Sequence, residues 1–382
     1  MYICKERITL HRVEAYKRQE EIIMKKKALA LVMATAMAAT MLAGCGSTET
    51  ASTEAESTEK AAEETTEETT TEDAEATEDT AAADTATADK VYHIGICQLL
   101  EHDALDAATQ GFEDALVELL GEGNVTFDFQ NAQGEQTNCA TITTQFVTDG
   151  VDLILANATA PLQAAAAATN TIPILGTSIT DYATALDIAD WTGATGTNIS
   201  GTSDLAPLEE QENMLVELFP EAKKVGILYC SAEANSVYQA QVFEKCLEED
   251  GIEYEEYTAA DSNEIQSVVT SAVETCDVLY IPTDNTMAAN TEILNNVAQP
   301  AGVPIIAGEE GICAGCGVAT LSISYYDIGY KAGEMAYDIL VNGTDITTMD
   351  VEYAPQVTKE YNQTICDALG IAVPDDYVAI EN

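Results

Sequence analysis

From Val91 onward, short apolar runs alternate with longer stretches whose apolar residues recur every three or four positions. "VYHIGICQL" reads as a strand, a compact apolar run bounded by polar residues. In the stretch "LDAATQGFEDALVELLG" that follows, Leu105, Ala108, Phe112, Leu116 and Leu119 or Leu120 fall on one helical face. "VTFDFQ", "VDLILAN" and "IPILGTS" repeat the strand pattern, with helices through "CATITTQFVTDG" and "PLQAAAAATN" between them. Strands separated by helices of this length build a parallel, doubly wound sheet.

After the Gly/Thr-rich passage "WTGATGTNISGTSD" the alternation starts over. Its strands are "KKVGILYCS", "EYEEYTA", "DVLYIPTDN" and "VPIIAGEEG", separated by helices beginning near Ser236, Glu264 and Thr286. A late helix, "SYYDIGYKAGEMAYDILVNG", follows the run "GVATLSIS", and a last one lies near "NQTICDALG". The predicted fold class is α/β, with two doubly wound parallel-sheet lobes joined by a multi-strand hinge. Lobe 1 is expected over 90–200 plus about 323–346, and lobe 2 over 201–322 plus about 347–382. About 290 residues is more than one core comfortably takes, in keeping with two.

The residues ahead of Val91 follow different rules. Lys25, Lys26 and Lys27 precede the apolar "ALALVMATAMAATMLAG", the layout of a secretory signal, and Cys45 directly follows Leu42-Ala43-Gly44. This reads as a lipoprotein signal over 24–44 with Cys45 as the lipidated first residue. Residues 1–23 precede a second Met and read as an upstream start. From Gly46 to Asp89 the chain is Thr, Glu, Ala and Ser with almost no large apolar residue, too polar to offset its chain entropy. Residues 45–89 are therefore expected to be an acidic, extended tether that anchors an extracytoplasmic domain to the membrane.

Charge narrows the function. The formal net charge is -51, the last arginine is Arg18, and from Val91 the only cations are Lys223, Lys224, Lys245, Lys331 and Lys359. Such a chain does not neutralise phosphates, which excludes nucleic acid as a partner. It also lacks the guanidinium clamp that often holds a carboxylate. A bound acid group must rest on backbone N–H groups, hydroxyls or a rare lysine.

Of the cysteines, Cys97, Cys230 and Cys276 lie in or beside apolar runs, where a thiol behaves as a small hydrophobe. Cys313 and Cys316 have the spacing of a redox pair or half a metal site, but His93 and His102 lack metal-site spacing to them. No G-x-S-x-G elbow, P-loop or G-x-G-x-x-G follows a strand. The reading is a non-enzyme with no cofactor and no metal.

In open parallel sheets ligands bind beyond the carboxyl ends of the strands. Those loops read "QLLEHD", "NATAP", "GTSITDY", "CSAEANS", "PTDNT" and "AGEEG", nearly all with small hydroxyl or amide side chains. Thr159 with Pro161, Asn235 with Ser236, and Asp284 with Asn285 match helix N-termini whose amides face the cleft, or equally ordinary N-caps. The candidate ligand-binding residues are Gln98, Asn157, Thr159, Ser178, Tyr182, Asn235, Ser236, Asp284, Asn285 and Glu310. Together they suit a zwitterion, with helix N-termini and hydroxyls for a carboxylate and Asp284, Glu310 or Glu101 for an ammonium. Tyr182, Tyr325 and Tyr326 offer an apolar face or serve the structure of the lobe edges, and His102 offers a hydrogen bond to ligand or, equally, a solvated or local one.

Taken in order and spacing, "EHDALDAATQGF", "NATAPLQA", "GTNISGTSD", "EANS", "YIPTDNT", "AGEEG" and "SYYDIGYKAGEMAYDIL" resemble the solute-binding lipoproteins of ABC importers typified by tryptophan and aromatic amino acid binding proteins. The resemblance spans nearly all of 91–382. It implies two type I periplasmic-binding-protein lobes that close on a small molecule, with permease and ATPase subunits as partners. Thr159-Ala160-Pro161-Leu162-Gln163, Thr180-Asp181-Tyr182 and "CAGCG" depart from the family's usual wording at cleft loops. The expected ligand is thus an amino acid, aromatic favoured. The alternatives are a nucleoside or sugar in the same fold, and a surface redox enzyme using Cys313 and Cys316.

Overall fold

The computed structural model describes residues 90–354 and 356–380. The signal segment, Cys45 and the acidic tether lie outside the described residues.

Lobe 1 is built on a six-stranded sheet in the order β11-β5-β4-β3-β1-β2, parallel throughout. Its strands are β1 (Tyr92–Gln98), β2 (Val125–Asn131), β3 (Leu153–Asn157), β4 (Ile174–Ile179), β5 (Ile199–Ser203) and β11 (Glu352–Tyr353). Strands β3, β4 and β5 are buried along their whole length, as strands covered on both faces must be. The helices are α1 (Asp103–Leu120), α2 (Gln136–Asp149), α3 (Thr159–Ala168) and the single turn α4 (Tyr182–Ala185). Helices α2 and α3 close one core around Cys139, Phe146, Ile154 and Leu162. Helix α1 closes the other, around Phe112, Leu116, Leu155 and Leu175, together with α11 (Tyr325–Leu340).

Helices α1 and α11 meet backbone to backbone. A β-carbon on Gly111 would overlap the carbonyl oxygen of Tyr326, and one on Gly329 that of Ala108. Glycine is required here because nothing larger fits between the helices.

Lobe 2 carries a seven-stranded sheet in the order β13-β12-β10-β9-β8-β6-β7. Strands β6 (Lys224–Cys230), β7 (Glu253–Ala259), β8 (Val278–Ile281), β9 (Ile305–Ala307) and β10 (Ala319–Ser322) are parallel. Strand β12 (Thr358–Tyr361) runs antiparallel to β10 and is edged by β13 (Val378–Ala379). Around the sheet lie α5 (Leu208–Leu218), α6 (Ala234–Asp250), α7 (Ile265–Val273), the turn α8 (Asn285–Ala288), α9 (Thr291–Ala301), α10 (Glu310–Cys316) and α12 (Gln363–Leu369). Phe243 and Tyr280 stack at 3.6 Å at the centre of one of its cores.

The chain therefore passes between the sheets between β5 and α5, between β10 and α11, and between β11 and β12. Two boundaries differ from the sequence expectation. The Gly/Thr-rich passage contains β5, whose residues through Ser203 pair with β4 in lobe 1. Residues 352 and 353, expected in lobe 2, form β11 and pair with β5. Both segments are too short and too polar to announce themselves as strands; pairing with an existing edge makes them so. Among the described residues no helix is long and apolar enough to cross a membrane.

Candidate functional site

The carboxyl ends of both sheets face a crevice between the lobes. A cavity of about 730 Å³ there is lined by Leu99, Leu100, Glu101, the Asn131–Thr137 turn and Thr159 of lobe 1. Glu233, Asn235, Ser262, Thr286 and Asn290 face them from lobe 2. A second cavity of about 680 Å³, beside the crossing segments, is lined by Glu310, Ser322, Tyr325, Tyr326 and Glu360 among others.

Lobe 1 prepares this crevice with strained backbone. Ala158, just past β3, has φ 99°, and Ser178, near the end of β4, has φ 56°. Side chains disfavour such values, so the surrounding hydrogen bonds must hold them; Ala158 N–H donates to the Thr177 carbonyl. Ala158 also starts α3 without a side-chain cap. The first amides of α3 are thereby left open to an external acceptor.

Gln98 and Asn157 are the last residues of β1 and β3. Asn157 Nδ2 donates to the Leu105 carbonyl (2.8 Å) and Thr109 Oγ1 (2.9 Å), and Gln98 Nε2 to Asp106 (2.6 Å) and the Leu100 carbonyl (2.9 Å). Both are fully buried. Three buried oxygens on adjacent strand ends remain without a partner: Asn157 Oδ1 on β3, Ser178 Oγ on β4 and Asp204 Oδ1 just past β5. Buried polar atoms are normally paired, so a run of orphans marks a place where something polar is expected to bind.

Asp204 sits where the chain first leaves lobe 1. Tyr325, where the chain re-enters it, donates from its hydroxyl to Asp204 Oδ2 at 3.0 Å. Burial raises the Asp204 carboxyl to about 6, against the nearby Thr180 and Tyr325 hydroxyls, which favour its charge. Glu309 caps α10 by accepting the Gly311 and Ile312 N–H groups, and burial raises it to about 7 despite them. Asp204 is not among the residues expected from the sequence; its signal there is its place at the end of "GTNISGTSD", a Gly/Thr-rich run without a strand-like pattern.

Across the crevice Asp284 turns out to be occupied. Its Oδ1 accepts the Met287 N–H (2.8 Å) and its Oδ2 the Cys230 N–H (2.7 Å). Burial, then the nearby Glu233 carboxylate, raises its carboxyl to about 8. The side chain thus knits the end of β6 to α8 within lobe 2. Ser236 is fully buried, and Asn235, which lines the crevice, donates to the Thr283 carbonyl at 3.0 Å. Asn285 is held by Glu233, whose carboxylate also takes Thr286 N–H (2.8 Å) and Oγ1 (2.7 Å).

The tyrosines divide. Tyr182 is 2% exposed, donates to the Thr202 carbonyl at 3.1 Å and stacks on Trp191, so its ring belongs to the lobe 1 core. Tyr326 reaches outward to Asp114, while Tyr325 lines the hinge-side cavity with Glu310. Cys313 and Cys316 are buried in α10, where burial raises both thiols above their ordinary value. A reactive thiol needs the opposite shift. The eight described cysteines are free.

Residues 93–380 match the family model described as ABC transporter substrate binding protein. The chain belongs to this family. It is 38% identical over 267 residues to a tyrosine-binding protein of Clostridioides difficile, covering 68% of this chain and 77% of that protein. The crystal structure of a Streptococcus pneumonia ABC domain in complex with L-Trp superposes with a TM-score of 0.72 at 30% identity, covering 75% of this chain and 97% of that one. A ligand-free, open structure of a Clostridium difficile substrate binding protein with adhesive properties gives a TM-score of 0.59 at 37% identity, covering 76% and 100%. The binding protein's two lobes and three crossings are those of the type I periplasmic-binding-protein fold.

Proposed function

We propose that this binding protein captures an aromatic amino acid outside the cytoplasm and delivers it to the permease and ATPase of an ABC importer. The carrying observation is an uncapped α3 N-terminus whose Thr159 and Ala160 line a crevice without arginine, together with the buried Asp204 Oδ1 left unpartnered just past the neighbouring β5. The amides of the first turn of α3 receive the ligand carboxylate. Asp204, with Ser178 and Asn157, receives the ammonium. A zwitterion matches both ends, whereas a neutral sugar leaves the helix N-terminus and the acid unmatched.

The relatives support the amino acid and its aromatic class, one being named for tyrosine and another holding L-Trp. The higher TM-score with the Trp-bound structure than with the open one, despite lower identity to it, supports a closed arrangement of the lobes. Ligand that bridges the lobes favours that state, which the permease then reads.

The test is thermal melting with the twenty amino acids, nucleosides and sugars. L-tyrosine or L-tryptophan at a hundredfold excess over its dissociation constant should add about 2.7 kcal/mol of stability. A shift with nucleosides or sugars alone overturns the cargo. Lipidation at Cys45 is tested separately: Cys45→Ser should move the protein from the membrane fraction to the soluble one.

A further inference from the structure

One hydrogen bond spans the crevice without touching the ligand contacts proposed above. His102 Nε2, at the start of α1, lies 3.2 Å from Asn285 Oδ1, in the first turn of α8. Its direction follows from the next neighbours. Asn285 Nδ2 donates to Glu233 Oε2 at 2.6 Å, and that carboxylate also accepts the Asn285 N–H at 3.1 Å. An amide whose nitrogen faces a carboxylate turns its oxygen the other way, so His102 supplies the hydrogen from Nε2.

We propose that His102, Asn285 and Glu233 form a latch between the lobes that strengthens ligand capture at neutral pH and weakens in acid. Closing brings the His102 ring from water against lobe 2, and burial lowers its affinity for a proton. Glu233 of the facing lobe and Asp103 and Asp106 of its own helix oppose that effect without reversing it. Glu101 adjoins His102 in the chain, and Glu309 and Glu310 stand at the start of α10, which packs on α1; Glu309, raised to about 7, is largely uncharged in acid. Closing therefore favours the neutral ring over the protonated one. Where the ring is protonated in the open form, apparent affinity falls by up to about tenfold per pH unit.

The proposal rests on the capture reading, and the experiment separates the two. Affinity for L-tyrosine and L-tryptophan is measured calorimetrically at pH 5.5 and 7.5 for wild type, His102→Gln and His102→Ala. Glutamine keeps a donor but does not titrate. It should bind like wild type at pH 7.5 and lose less affinity at pH 5.5. Alanine should bind about three- to tenfold more weakly at pH 7.5. Parallel pH profiles for wild type and His102→Gln would overturn the latch, because Asp204 and the other carboxyls titrate in both. If neither amino acid binds wild type, the cargo reading fails, and small-angle scattering of the ligand-free protein decides the latch. Expansion at pH 5.5 in wild type but not in His102→Gln supports it; equal behaviour refutes it.

Discussion

Asp204 and Asp284 are both buried carboxyls at strand ends, yet their surroundings give them different work. Asp284 has each oxygen on a backbone N–H of its own lobe, while Asp204 keeps one oxygen unpartnered. Asp284→Ala should therefore cost about 2–4 kcal/mol in denaturant unfolding, since it strands two buried donors. Asp204→Asn should leave the fold nearly intact and weaken aromatic amino acid binding by about ten- to a hundredfold in calorimetry. Equal losses of affinity in the two variants would place Asp284 in the site after all. In sequence Asp284 follows a strand-like run and Asp204 a Gly/Thr-rich one, and neither context reveals its role. What separates them is which N–H groups fold back onto the carboxylate, and for Asp284 one of the two comes from Cys230, far away in the chain.

At the scale of elements, the alternation of strands and helices was legible because each β3- or β4-like strand is buried on both faces and each long helix carries one apolar stripe. Strands β5 and β11 escaped notice for the same reason in reverse. They have little pattern of their own and depend on a neighbouring edge. The late helix α11 was expected to return to lobe 1, and the contact that holds it there is the glycine-lined crossing with α1. Gly329→Ala should destabilise the domain by about 2 kcal/mol or more, measured as a lower denaturation midpoint, because a helix backbone cannot yield as a side chain can. An unchanged midpoint would mean the helices can part without loss.

At the scale of the whole molecule, acid groups without cations set the pH response. Asp204 is raised to about 6 and Glu309 to about 7, from ordinary values of 3.8 and 4.5. A raised carboxyl holds its proton more tightly folded than unfolded. Its contribution to stability is thus complete below about pH 4 and is lost as pH rises through 6 to 7. The melting temperature of the ligand-free protein should accordingly fall between pH 5 and pH 8 in calorimetry, and a rise over that range would contradict the burial argument. The sequence by itself determined the α/β class, the two lobes and the lack of any arginine after Arg18 to clamp an acid group, because periodicity and composition are local properties. Only the tertiary structure decided that Tyr182 packs in a core, that Asp284 is spent, that Asp204 is not, and that His102 reaches Asn285. Each of those depends on side chains brought together from distant strand ends, a pairing that no local pattern encodes.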